Sequence, residues 1–171
     1  IGCINTLPPK YYKVLQAKGI KCAAFNPFRP IMSVVMNNRD HRKIFVVDGK
    51  VGFTGGINLA DEYINVASRF GYWKDTGIRL EGEAVWSMTV MFLEMWNYIN
   101  HSSEDYKQFM PQVYQKEPFE GDGFVQPYGD TPLDHETVGE NIYLNIINHA
   151  ERYVYIFTPY LIIDNEMLVS L

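Results

Sequence analysis

With 171 residues, 47% of them hydrophobic and 20% charged, the chain is long enough for a real core and has ordinary globular composition. A formal charge of −5 excludes the basic footprint of a nucleic-acid binder, and it argues against adsorption of the whole surface to anionic lipid. A local concentration of cations at Arg39, Arg42, Lys43 and Lys50 is the exception.

Two cysteines, Cys3 and Cys22, are too few for a disulfide framework and read as free thiols in a reducing compartment. The longest apolar stretch, Ala84 to Trp96, is interrupted by Ser87, Thr89 and Glu94. It falls short of the roughly 18 to 20 apolar residues of a membrane span. No charged segment followed by an apolar run opens the chain, so no signal peptide is expected. Ile1 at the start, and Ser170-Leu171 inside an opening helix, read as the cut ends of a piece of a longer protein.

Pro8 to Lys18 reads as a helix, with Pro suited to the first turn, Tyr11, Tyr12, Val14 and Leu15 on an apolar side, and Gly19 as the cap. Ile20 to Phe25 reads as a short strand, and Asn26-Pro27 with Arg29-Pro30 as a loop. Ile44 to Val47 and Val51 to Thr54 flank Asp48-Gly49, which predicts a hairpin because both turn residues tolerate positive φ. A helical turn is expected over Leu59 to Tyr63, and a strand over Thr76 to Leu80. Glu83 to Asn100 is apolar on most faces and predicts a largely buried helix.

Residues 101–121 are polar, with Pro111, Pro118 and Gly121, and read as a linker between a first unit (1–100) and a second (122–171). In the second unit, strands are expected at Phe124 to Tyr128 and Tyr153 to Phe157, a helix at Glu136 to Ala150, and a final helix capped by Asp164. Alternating strands and helices give an α/β class.

The sharpest feature is H-x-K-x4-D-x6-G-G-x-N, formed by His41, Lys43, Asp48, Gly55, Gly56 and Asn58. If His41 and Lys43 lie on a strand, they leave the same face. Asn58 follows the returning hairpin and can reach the same edge. An imidazole, an ammonium and an amide that converge suit a phosphate diester: the imidazole attacks or moves protons, and the cation and amide steady the oxyanions. H-x-K alone also arises by chance, and Asp48-Gly49 can be only a turn, so the spacing leaves both readings open.

The string resembles the signature of the phospholipase D superfamily, H-x-K-x4-D-x6-G-[GS]-x-N. The wider segment His41 to Glu81, the stretch AVWSMTVMFLEMW from Ala84, and Glu140 to Leu168 are similar to bacterial cardiolipin synthases. The last stretch resembles the start of that family's second repeat. The resemblance implies a phospholipase D-like mixed sheet with flanking helices, here incomplete: the end of repeat one plus the start of repeat two. It implies phosphatidyl transfer between two phosphatidylglycerol molecules through a phosphohistidine, with one H-x-K from each repeat. His41 then belongs to the catalytic pair, Lys43 binds phosphoryl oxygens and Asn58 assists. Asp75 stands where the family places a carboxylate bonded to the imidazole, which gives it either that role or that of a solvated loop residue. Asp48 reads as a turn residue more than a direct participant. The commoner pattern has Ser where this chain has Gly56, so that hydroxyl is unavailable.

Two residues beyond His101, His135 and His149 stand Ser103, Thr137 and Glu151, so the chain holds one H-x-K. No histidine spacing matches a metal site and no glycine-rich nucleotide loop occurs, so no cofactor is expected. The implied partners are a phospholipid substrate, a second H-x-K from elsewhere in the parent, and a bacterial membrane surface on the cytoplasmic side, reached through other segments. The single motif leads to the expectation that the chain is inactive by itself. The alternatives are a phosphodiesterase that uses water as acceptor, and a non-catalytic lipid- or protein-binding module.

Overall fold

The structure is a computed structural model, and it describes residues 7–27, 39–69, 71–115, 117, 120–121, 123–130, 135–158 and 160–171. They form two compact units that divide between Pro127 and Tyr128. Cys3 and the Arg29-Pro30 loop lie outside the described residues.

The first unit opens with α1 (Tyr11–Ala17). It is shorter than the predicted Pro8 to Lys18, because Lys10 takes a left-handed conformation (φ 61°) before the first turn. The hairpin forms where the Asp-Gly pair puts it. β1 (Phe45–Val47) and β2 (Val51–Gly55) pair antiparallel, with Val47 opposite Val51. Asp48 and Gly49 both have positive φ (53° and 67°). The Lys50 amide closes the turn by donating to the Val47 carbonyl at 2.9 Å. A short 3₁₀ turn (Asp61–Ile64) follows, then β3 (Gly77–Glu81), which pairs antiparallel with β2.

The sheet has the order β1-β2-β3. Val46, Gly52 and Leu80 stand side by side in the ladder and therefore share one face. Phe45 and Phe53 share the other, with ring centroids 5.9 Å apart and both side chains exposed. The long helix α2 (Ala84–Asn100) packs on the Gly52 face. A Cβ at Gly52 would stand 2.7 Å from the Met88 sulfur and 3.6 Å from a Val85 methyl. The approach is so close that only glycine fits without movement of the Met88 side chain. Val85, Met88, Thr89 and Leu93 form the buried stripe of α2, at spacings of three and four residues. Burial of each apolar member is worth about 1.5–3 kcal/mol relative to exposure. Thr89 satisfies its hydroxyl by donating to the Val85 carbonyl at 2.9 Å. The expectation that α2 is largely buried is corrected: Phe92 and Tyr98 are exposed, since a three-stranded sheet covers one stripe only.

Past α2, Asn97 ties down the following segment. It accepts from Ser102 Oγ at 2.8 Å and from the Glu104 amide at 3.3 Å, and donates to the Glu104 carbonyl at 3.2 Å. A second 3₁₀ turn (Tyr106–Phe109) then sits against the hairpin turn: a Cβ on Gly49 would lie 3.0 Å from the Phe109 carbonyl oxygen.

In the second unit α3 (Val138–Asn148) and α4 (Asn165–Ser170) are the regular elements among the described residues. Asp164 caps α4 as predicted, its Oδ1 accepting from the Met167 amide at 2.8 Å. The predicted strands at Ile20 to Phe25, Phe124 to Tyr128 and Tyr153 to Phe157 are irregular instead. Their β-branched and aromatic composition suits a pleated surface but supplies no ladder partner. Among the described residues the chain is therefore mixed α and β, with a small antiparallel three-stranded sheet and helices.

The packing at Gly52 yields a test. Gly52→Val should destabilise the protein by about 1–3 kcal/mol through overpacking. Met88→Ala in the same chain should recover part of that loss, read as a coupling energy in a denaturation double-mutant cycle.

Candidate active site

The antiparallel register brings the segments that bear His41, Lys43, Asn58 and Asp75 to one end of the sheet. The start of β1, the end of β2 and the start of β3 lie together there. Residues 41–44 lead into β1, residues 56–58 leave β2, and Asp75 precedes β3. Asp48 sits at the hairpin turn, at the opposite end of β1 from His41.

The expected strand placement of His41 and Lys43 is corrected. The β1 ladder begins at Phe45 opposite Phe53, and residues 41–44 run irregularly ahead of it. Two local contacts shape the lead-in. Arg42 forms a fork on Asp40, donating from Nε to Oδ1 at 3.0 Å and from Nη2 to Oδ2 at 2.9 Å, while the Arg42 amide also donates to Oδ1 at 3.0 Å. Lys43 Nζ donates to the His41 carbonyl at 2.7 Å. The fork pairs Arg42 locally and draws the Asp40 carboxyl below its ordinary range through the hydrogen bond from the Arg42 side chain. Partial burial pushes the Lys43 ammonium below the usual lysine range, and the charges of Asp40 and Asp75 work against that. His41 is exposed, and among the described residues its imidazole makes no hydrogen bond.

The expected hydrogen bond between Asp75 and that imidazole is not formed. The carboxylate is used elsewhere: Oδ1 accepts from the Thr76 amide at 2.8 Å and the Gly56 amide at 3.2 Å, and Oδ2 accepts from Trp73 Nε1 at 3.1 Å. These bonds, the Trp73 one foremost, hold the Asp75 carboxyl below the usual carboxylate range, with the Lys43 charge adding to the effect. Gly56 is part of this contact. A Cβ there would stand 2.6 Å from both Asp75 oxygens, so the carboxylate fills the space that a side chain at residue 56 would need.

Asn58 is half-buried and donates from Nδ2 to the Tyr63 hydroxyl at 2.6 Å. The Tyr63 ring meets the Trp73 ring edge-on, with centroids 4.6 Å apart at 63°. Asn65 clasps the Trp73 backbone from both sides, accepting from its amide at 2.6 Å and donating to its carbonyl at 2.9 Å. Tyr63, Asn65 and Trp73 thus connect Asn58 to Asp75. The sequence assigns no site role to Tyr63, Asn65 or Trp73. The signal available was an Asn and a Trp eight residues apart in a polar loop. Among the described residues no group of acidic, His or Cys side chains is placed to hold a metal ion.

Comparison with known proteins bears on what this arrangement is. The chain is 35% identical over 172 residues to cardiolipin synthase 1 of Bacillus cereus, which covers 98% of this chain and 34% of that protein. It is 34% identical over 169 residues to the cardiolipin synthase of Alkalihalophilus pseudofirmus, covering 96% of this chain and 33% of that one. The chain is homologous to a segment of the bacterial cardiolipin synthases. A Streptococcus mutans protein of uncharacterized role is 55% identical over 165 residues, again with 35% of its length matched. The chain spans about a third of the length of the curated relatives it matches. No family model and no solved structure matches it. The resemblance read from the H-x-K segment is borne out by these cardiolipin synthase homologues.

Asn65→Ala tests the clasp. It removes two hydrogen bonds to the Trp73 backbone and should lower stability by about 1–3 kcal/mol. Amide exchange should quicken at Trp73 and leave the α2 amides unchanged, as measured by hydrogen exchange.

Proposed function

We propose that this chain carries one of the two half-sites of a phosphatidyltransferase that makes cardiolipin from two phosphatidylglycerol molecules. The observation that carries the reading is the intact H-x-K-x4-D-x6-G-G-x-N string in a chain homologous to cardiolipin synthases, with the segments that bear its His, Lys and Asn entering and leaving the sheet at one end.

In this reading His41 is one of two imidazoles that flank the phosphorus. One ring nitrogen attacks phosphorus, and the bond from phosphorus to the glycerol oxygen breaks. The leaving oxygen takes a proton from the second imidazole, and glycerol departs. The hydroxyl of a second phosphatidylglycerol returns that proton to the second imidazole as it attacks the phosphohistidine, and the phosphorus–nitrogen bond breaks. Lys43 steadies the charge on the phosphoryl oxygens, and a partly desolvated ammonium does so more strongly than a fully hydrated one. Asn58 contributes an amide whose direction Tyr63 fixes. Asp48 serves the hairpin turn. The second imidazole comes from another H-x-K, since His101, His135 and His149 lack the lysine two residues on. The lipid substrate places the parent protein at a membrane surface, and among the described residues no helix is long and apolar enough to cross one.

Labelled phosphatidylglycerol supplied to the full-length protein in mixed micelles tests the reading. Formation of labelled cardiolipin with release of glycerol is expected; phosphatidic acid as the sole product would make the enzyme a hydrolase. His41→Ala should lower transfer by at least ~10² to 10⁴. Lys43→Met should lower kcat while thermal stability stays near that of the parent. The 171-residue chain by itself should make no cardiolipin at any protein concentration.

A further inference from the structure

We propose that Trp73 is a positioning residue of this site: with Tyr63 and Asn65 behind it, its indole N–H fixes the Asp75 carboxylate against Gly56 and within the field of Lys43. The kinetic consequence rests on the phosphatidyl-transfer reading; the structural one does not.

Three observations make the indole a fixed donor. Its backbone is gripped on both sides by the Asn65 side chain, at 2.6 and 2.9 Å. Its ring abuts the Tyr63 ring at 4.6 Å in an edge-on geometry, an arrangement aromatic pairs favour. Its Nε1 then donates to Asp75 Oδ2 at 3.1 Å. A donor that cannot turn away costs little to keep in place, so the carboxylate inherits its orientation.

The other oxygen of Asp75 completes the device. Oδ1 takes the amides of Gly56 and Thr76 at 3.2 and 2.8 Å. Gly56 stands two residues before Asn58, and Asn58 is bonded to the hydroxyl of the same Tyr63 that backs the indole. One aromatic pair therefore sets both ends of the G-G-x-N segment: the amide end through Trp73 and Asp75, the Asn58 end through the Tyr63 hydroxyl. Asp75 acts as the pin of that segment and as a counter-charge for Lys43, and it leaves the imidazole unbound.

The charged group that faces Asp75 is Lys43, on the lead-in to β1; its other partners are the neutral Trp73 indole and two backbone amides. The sign of the pH effect follows. The indole bond holds Asp75 below its ordinary range, so its loss raises the proton affinity of the carboxylate. In Trp73→Phe the acid limb of transfer should move to higher pH.

The test uses the full-length protein. In the unsubstituted protein the Trp73 indole N–H resonance should shift in one acidic step as Asp75 takes up its proton, and Asp75→Ala should abolish that step. Trp73→Phe should lower kcat by about tenfold or more, as expected for one lost hydrogen bond to a charged group, with KM little changed. Gly56→Ala is the second variant. Its methyl must displace the carboxylate, so it should move the acid limb in the same direction with Trp73 intact. An indole resonance that ignores both pH and Asp75→Ala overturns the proposal, whether or not Trp73→Phe folds. So does an unmoved acid limb in both Trp73→Phe and Gly56→Ala. If His41→Ala keeps its transfer activity, the functional reading fails instead, and the indole titration still decides the role of Trp73.

Discussion

The missing side chain at Gly52 is the constraint on which the first unit rests. The Met88 side chain occupies the place where its Cβ would be, with Val85 in contact beside it, and α2 packs on the middle strand of the sheet. The middle strand is paired on both edges, so what fixes β2 fixes β1 and β3 as well. The candidate site lies at the ends of all three strands. Its parts come from lead-ins and exits, which have no ladder of their own, and their relative placement is borrowed from the helix that holds β2.

Beyond the last ladder pair, Gly55 with Gly77, hydrogen bonds to side chains take over from those of the sheet. Asp75 binds the Gly56 amide across the same gap that the ladder would have bridged. This charge-assisted contact continues the alignment of β2 and β3 where regular pairing stops. The lead-in to β1 is organised differently, by contacts internal to residues 40–43. The two sides of the site are therefore ordered independently, and they meet through the electrostatic reach between Lys43 and Asp75.

Much of this was legible in the sequence, for reasons that differ by residue. Asp48-Gly49 announced the hairpin because few other pairs accept positive φ twice in succession. The capping of α4 by Asp164 was legible because the bond is local. Residues 20–25, 124–128 and 153–157 misled because strand composition describes a surface that would fit a sheet, and says nothing about whether a neighbour is present. The family resemblance singled out Asp75 as a carboxylate bonded to the imidazole or a solvated loop residue, and its actual partners were not legible. The Trp73 indole lies two residues away, and the Gly56 amide is brought near only by β2–β3 pairing. Tyr63 escaped notice because its hydroxyl and its ring act on different neighbours, and no spacing rule encodes both.

The contact of Lys43 with the carbonyl of His41 has one more consequence. An ammonium carries three N–H donors, and this contact engages one of them. The tether holds the nitrogen beside its own histidine, and among the described residues no acceptor engages the other two donors, which in the proposed function serve the oxygens of a phosphate. Under that proposal, anion binding requires neither the release of that carbonyl nor a search by a long, flexible side chain. The entropy of ordering the lysine is lost on folding, ahead of any encounter, so the phosphate of the proposed substrate would meet a donor already in place.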